Sequence, residues 1–404
     1  MGCKSDKKIK IKNTVKLNRI AIVTPNSDTF TNPTMTTFFH LLKEKGVDVI
    51  LFGPKQQPVC PDNIVNVTCV KSTFYLFLLR NPRKYSAHFK SLINVVKTLY
   101  KYKITILFAV DPLGIIIGGR IKRVLGKKLN LNLLSFEIFF RDELSTYYLK
   151  LKKKEVFYSK YIDSLLIQDK KRKQLIFAEN NIQLAENQIA YVPVSPAKIE
   201  LSAKPDLHKK FNVVAGRKLV VYSGSIGEWC GTKAIIEAFD KGYWTNDFHL
   251  VFHTRKPVYA DSEFYDDLIR MDQQAEIPFS LHPHPFESFE DLSFFLSGFD
   301  LALALYYPNH QNPYYGMNMK EIGLSSGKFA TYMMLGLPTL VTSCSVYNDL
   351  LMKYKFGDTI DDISQISEKL SAISKQENQT LDLFSDILDP VNNLKIYIND
   401  VIKL

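Results

Sequence analysis

Hydrophobic positions along this chain fall into two alternating kinds of run. Short, nearly continuous apolar segments at 19–24, 47–52, 65–70, 104–110, 132–136, 164–168 and 189–192 have the length and branched content of strands buried on both faces. Between them, apolar residues recur at helical spacing in 33–45, 83–101, 113–125, 143–160 and 171–179. In 83–101 the stripe is Phe89, Leu92, Ile93, Val96, Leu99 and Tyr100, with Lys90 and Lys97 among the polar positions. Asn32-Pro33 opens the first helix and Gly46 closes it. Regular alternation of strand and helix predicts a parallel, doubly wound sheet.

The same pattern restarts at 218. Strands are predicted at 218–223, 248–253, 278–281, 301–305 and 339–342, with helices at 233–239, 263–274, 288–296 and 326–335. Residues 381–404 read as helical with a break at Asp389-Pro390. At 404 residues the chain exceeds one ordinary core. The division is a disordered Lys/Asn-rich start (1–17), a first domain (18–195), a polar linker (196–217), a second domain (218–380) and terminal helices (381–404).

Charge separates the halves. Residues 1–195 hold 33 Lys and Arg against 14 Asp and Glu, whereas residues 196–404 hold 19 against 27. A basic half implies a polyanionic partner. No nucleic-acid motif accompanies it, so the reading is an anionic membrane surface and no nucleic acid. The basic helix 83–101 and the run 150–154 are the expected contacts. Each run taken singly also reads as a solvated face. The five cysteines, Cys3, Cys60, Cys69, Cys230 and Cys344, fit no zinc or redox spacing and read as reduced thiols of a cytoplasmic protein. The start Met-Gly-Cys-Lys-Ser-Asp6 is not the pattern of a signal peptide or of myristoylation. No uncharged run is long enough to span a bilayer.

The segment Gly323-Leu-Ser-Ser-Gly-Lys-Phe-Ala-Thr-Tyr-Met-Met-Leu-Gly-Leu-Pro-Thr-Leu-Val-Thr-Ser343 carries the most chemistry. Ser325, Ser326 and Gly327 open a helix whose first turn has unpaired amides and partial positive charge. Lys328 adds a full charge there and is expected to stand exposed. A diphosphate offsets both. Gly336 ends the helix in a left-handed turn and Pro338 prevents its continuation. Val221-Tyr-Ser-Gly-Ser-Ile226 is a strand running into a loop, where Gly224 and Gly227 let backbone approach a phosphate closely or simply make a β–α turn.

The 323–343 segment resembles the donor-binding region of GT-B glycosyltransferases of the bacterial surface-polysaccharide type, many of which carry Ser-x-Lys, Tyr-Met and Gly-x-Pro there. The resemblance implies two Rossmann-like domains facing a cleft. The first would bind the acceptor and the second the sugar nucleotide, with the last helix crossing back. It implies a nucleoside diphosphate sugar, UDP-sugar favoured, as co-substrate rather than a cofactor, with Gly224, Ser225 and Lys233 in the donor site. Many members place an Arg after the first strand of that domain. Here Ile226 and Glu228 stand in that region, and Arg255 or Lys256 is the expected replacement. The family's glutamate pair, separated by seven residues, is also missing: Gly323 and Thr331 stand at its positions. Glu321 then takes the first role and the Thr331 hydroxyl meets a ribose hydroxyl. His282-Pro-His284-Pro285 resembles the loop that touches the base.

In the first half, Asp111 and Glu137 each follow a strand at the edge where ligands bind. Ser135-Phe-Glu137 looks like relatives that present a glutamate to the cleft, to take the proton of an acceptor hydroxyl or to orient the acceptor. Asp111 also reads as a helix N-cap. The expected activity is metal-independent glycosyl transfer to a lipid-linked or polysaccharide acceptor. The alternatives are a sugar-nucleotide epimerase on the same fold, for which the loop 25–32 offers only Asp28, and a degenerate partner subunit.

Overall fold

Apolar runs of three to seven residues, too short for helices and flanked by turn residues, form thirteen strands among the described residues. The computed structural model describes residues 19–24, 32–53, 64–68, 86–254 and 263–404. In the first domain β1 (Arg19–Val23), β2 (Asp48–Gly53), β3 (Ile64–Thr68), β4 (Ile106–Val110), β5 (Asn130–Leu134), β6 (Ser164–Ile167) and β7 (Ile189–Tyr191) make one sheet in the order β3-β2-β1-β4-β5-β6-β7. In the second, β8 (Lys218–Gly224), β9 (Phe248–Thr254), β10 (Phe279–His282), β11 (Leu301–Ala304), β12 (Thr339–Thr342) and β13 (Gly357–Ile360) follow the order β10-β9-β8-β11-β12-β13. Every pairing is parallel. Both sheets are doubly wound, as the alternation predicts. Their strand order reverses beside β1 and β4 in one and beside β8 and β11 in the other.

Helices cover both faces. α1 (Pro33–Glu44) is capped by Asn32, which accepts from the Met35 amide at 3.2 Å, and Gly46 closes it at φ +66°. α2 (Ser86–Lys101) buries Val95 and Leu99. Tyr100, placed by the sequence on its packed stripe, is 80 % exposed, because the buried face runs one position earlier. α3 (Asp111–Leu125) packs against α4 (Thr146–Ser159) so closely that a Cβ at Gly119 would overlap Tyr158. The basic run 150–154 is therefore not one surface strip. Lys152 is buried, with its ammonium 2.6 Å from Asn180 Oδ1 and 3.3 Å from Glu155. The second domain also holds elements the pattern did not predict, among them α10 (Ser345–Leu351), β13 and α11 (Ile366–Ile373).

At the end of the chain, residues 380–388 pack into the second core through Leu383, Phe384 and Leu388. Beyond Asp389-Pro390, Leu394, Tyr397 and Ile398 join Phe38, Phe108 and Leu134 in the first core. The Tyr397 hydroxyl lies 3.1 Å from Ser164 Oγ. Pro390 cannot continue the preceding helix, so the chain turns there and spans the two domains. Among the described residues, no helix is long and apolar enough to cross a membrane.

Candidate functional site

In an open parallel sheet the reversal of strand order leaves a crevice beyond the carboxyl ends of the strands. Here the two crevices face each other across one cavity of about 430 Å³. Its first-domain wall contains Pro33 at the start of α1, Asp111 after β4 and Glu137 after β5. Its second-domain wall contains Gly224 and Ser225 after β8, Tyr306 after β11 and Ser325 to Lys328 at the start of α9 (Gly327–Met334).

α9 begins at Ser326, whose Oγ accepts from the Phe329 amide at 3.1 Å and sits 2.6 Å from the Tyr306 hydroxyl. It ends as predicted, with Gly336 at φ +76° and the Leu337 amide donating to Tyr332 O at 2.9 Å. Lys328 differs from expectation: it is only 8 % exposed. The first turn aims it at the end of β8, where its ammonium lies 3.8 Å from the Tyr222 ring centroid and 5.3 Å from that of Tyr306. The ring faces partly replace lost hydration, which makes burial of the cation tolerable. A Cβ at Gly224 would come within 2.9 Å of Lys328 Nζ. The glycine thus gives passage to the lysine, and Lys328 and Ser225 line the cavity together.

Other residues singled out from the sequence lie elsewhere. Thr331, the fifth residue of α9, is buried and spends its hydroxyl on Gly327 O at 2.7 Å, away from the cavity lining. Glu321 accepts from Ser345 Oγ at 2.8 Å and stands 4.0 Å from Lys171 of the first domain, also outside the lining. Lys233 pairs with Glu228 at the surface, at 3.2 Å. Arg255, Lys256 and Asp28 lie outside the described residues. His282 sits among Phe211, Phe286 and Phe295. Burial, then the charges of Lys210 and His284, lowers its pKa to about 4. It is a neutral ring at physiological pH. Among the described residues no group of three or more His, Cys, Asp or Glu is placed to hold a metal ion.

On the first-domain wall Asp111 is not the cap of its own helix; Val110 holds that position. Asp111 has φ +60°, a strained conformation for a residue with a Cβ. Its Oδ1 accepts from the amides of Phe136 at 2.7 Å and Glu137 at 2.9 Å. It therefore pins the loop that carries Glu137. Burial raises the Asp111 pKa to about 6, against the lowering by those two amides. Burial also raises Glu137, to about 8; Arg172 opposes the shift and Asp111 adds to it. A carboxyl poised near neutrality inside a cleft is the usual mark of an acid–base group.

Sequence reasoning missed four residues here. Tyr222 reads as strand core. Trp229, stacked on Tyr315 at 4.5 Å and 12°, follows a glycine loop that gives no period. Arg172 is hidden in the run Lys170-Lys171-Arg172-Lys173, and Asn318 in an aromatic loop.

No family model and no curated protein sequence matches the chain. Solved structures match it in fold. The lipopolysaccharide outer core galactosyltransferase WaaB in its apo form has a TM-score of 0.61 at 13 % identity, covering 95 % of this chain and 99 % of its own. Anabaena HepE in complex with UDP has a TM-score of 0.65 at 11 % identity, covering 96 % and 100 %. A putative UDP-N-acetylglucosamine 2-epimerase from Listeria monocytogenes has a TM-score of 0.55 at 11 % identity, covering 95 % of each chain. The architecture is the two-domain GT-B fold, which carries both glycosyltransferases and epimerases.

Proposed function

We propose that the protein transfers a sugar from a nucleoside diphosphate sugar, a UDP-sugar foremost, to the hydroxyl of a lipid-linked or polysaccharide acceptor. One observation carries the reading: Lys328 with the start of α9 and Glu137 line the same cavity from opposite domains. The anomeric carbon exchanges its bond to the diphosphate oxygen for a bond to the acceptor oxygen. Lys328 and the first-turn amides of α9 take the charge that develops on the diphosphate, so the protein's own groups serve the leaving group. Glu137 receives the hydroxyl proton. The fold is shared with proteins whose structures hold UDP, which favours that nucleoside. An epimerase reading has less support in the cavity: its acids are Asp111 and Glu137, and no histidine lines it among the described residues.

Two measurements test this. UDP is expected to raise the melting temperature more than GDP, ADP or CMP; ligand at a hundredfold its dissociation constant stabilises by about 2.7 kcal/mol. Radiolabelled UDP-sugars given with and without a glycan acceptor separate the alternatives. Acceptor labelling supports transfer. Epimerised donor without acceptor points to an epimerase, and binding without turnover to a degenerate subunit.

The acceptor reading extends to a membrane surface. Arg123, Val124, Lys127 and Lys128 at the end of α3 are exposed, as are Phe157 of α4 and Lys160 just after it, with Arg123 5.9 Å from the Phe157 ring centroid and Val124 61 % and Phe157 44 % exposed. Lys160 Nζ lies 4.2 Å from the Phe157 ring centroid. Apolar tips ringed by cations suit the headgroups of anionic lipid. Each basic residue near such a surface contributes about 1 kcal/mol, screened by salt. Co-sedimentation with phosphatidylserine vesicles is expected at low salt, fading at high salt and in Lys127→Glu/Lys128→Glu. Equal partition onto phosphatidylcholine vesicles would refute it.

A further inference from the structure

The backbone on either side of Glu137 is held from both domains. Within the first, Asp111 accepts from the Phe136 and Glu137 amides, and Arg172 Nη2 donates to Phe136 O at 2.8 Å. From the second domain, Asn318 Oδ1 accepts from the Ile138 amide at 3.1 Å and Asn318 Nδ2 donates to Ile138 O at 2.8 Å. Asn318 Oδ1 also accepts from Arg172 at 3.0 Å. A carboxamide that pairs with both polar groups of one residue fixes that peptide as a neighbouring strand would. Asn318 has no exposed surface, so these bonds have no competition from water. The one-turn helix Met317–Lys320 that bears it is itself moored to the first domain. The Met317 amide donates to Glu143 Oε1 at 2.6 Å, and His310 Nδ1 lies 2.8 Å from the same oxygen. A Cβ at Gly316 would overlap that carboxylate.

We propose that Asn318 is a positioning residue for Glu137: the second domain sets the loop that carries the first domain's carboxylate, so the acid–base group is assembled only when the domains are in register. This rests on the reading of Glu137 as the group that meets the acceptor hydroxyl. It goes further by making donor-domain placement a condition for that group's geometry.

The test uses Asn318→Ala and, because a buried truncation can unsettle the fold, Gly316→Ala, which leaves Asn318 and Glu137 intact and pushes on the mooring. UDP affinity is measured by calorimetry, transfer at saturating donor and acceptor, and amide hydrogen exchange at residues 136–138. Both variants are expected to keep UDP affinity, to exchange faster at Ile138, and to lose transfer by about ten- to a hundredfold, as for small misplacements of a reacting group. Unchanged exchange at Ile138 in Asn318→Ala, or faster exchange with parental transfer, would overturn the positioning role. Loss of UDP affinity in both variants would overturn it too, by making Asn318 a general structural residue. If Glu137→Gln still transfers normally, the acid–base reading itself fails and the proposal falls with it. If that variant is inactive while the Asn318 and Gly316 variants transfer normally, only the positioning role fails.

Discussion

Lys328→Met is expected to weaken UDP binding about ten- to a hundredfold and to remove most transfer activity. The estimate is that of one charge-assisted contact to phosphate, about 1.5–3 kcal/mol. Methionine keeps the methylenes that pass Gly224 and removes the ammonium held over Tyr222. In the absence of ligand that ammonium is only 8 % exposed and lies against the faces of Tyr222 and Tyr306. A lower UDP affinity together with undiminished stability distinguishes a binding role from a folding role. Calorimetric UDP affinity equal to the parent's would remove Lys328 from the diphosphate site.

The contrast between Lys328 and Thr331 shows how far a linear motif reaches. Both belong to the 323–343 segment, and its helix, glycine stop and following strand are legible because capping and turn chemistry are local. Which face of α9 meets the cavity depends on where β8 and β11 end, and nothing within the segment states this. Lys328 turns into the cavity, whereas Thr331, one turn later, bonds back to Gly327 O. Asp111 and Glu137 were legible for a different reason. The strand–helix alternation fixes which strand ends share an edge, so acids just after β4 and β5 had to lie near the crevice. Their division of labour was not legible, because the hydrogen bonds from Phe136 and Glu137 to Asp111 join residues twenty-five and twenty-six positions apart. Arg172 and Asn318 were hidden most deeply. A lysine-rich run looks like a solvated face, and an asparagine in a loop carries no period. Yet these two meet across 146 residues to hold one backbone segment. Domain-to-domain contacts of this sort leave no trace in hydrophobic periodicity, which records only burial within one sheet.

Glu137→Gln should abolish the proton-accepting group while keeping the shape of the wall. Transfer is expected to fall about a hundredfold or more, the usual contribution of a positioned base, with UDP affinity unchanged because the nucleotide is assigned to the other wall. In the parent, the rate should climb with pH and level off near the Glu137 pKa of about 8, since only the deprotonated carboxylate accepts a proton. In the variant that limb should vanish. Stability supplies an independent check. The Glu137 pKa rises from 4.5 unfolded to about 8 folded, chiefly through burial, so between those values the folded protein binds more protons than the unfolded chain. Stability from this group is complete below about pH 4.5 and is lost as pH rises through 8. Asp111 acts with the same sign but only between 3.8 and about 6. His249 and His282, lowered by burial from 6.5 to about 4, act with the opposite sign and fall silent above 6.5. Above pH 6.5 those three groups are silent, but Glu155 and Asp169, also raised by burial, act with the same sign as Glu137, so the readout from pH 6.5 to 8 is the difference between the parent and Glu137→Gln. Thermal denaturation across that range should show the parent losing stability more steeply than Glu137→Gln as pH rises. Parallel pH slopes in the two proteins, or near-parental transfer by the variant at saturating acceptor, would return Glu137 to a structural role and move the search for the base to Asp111.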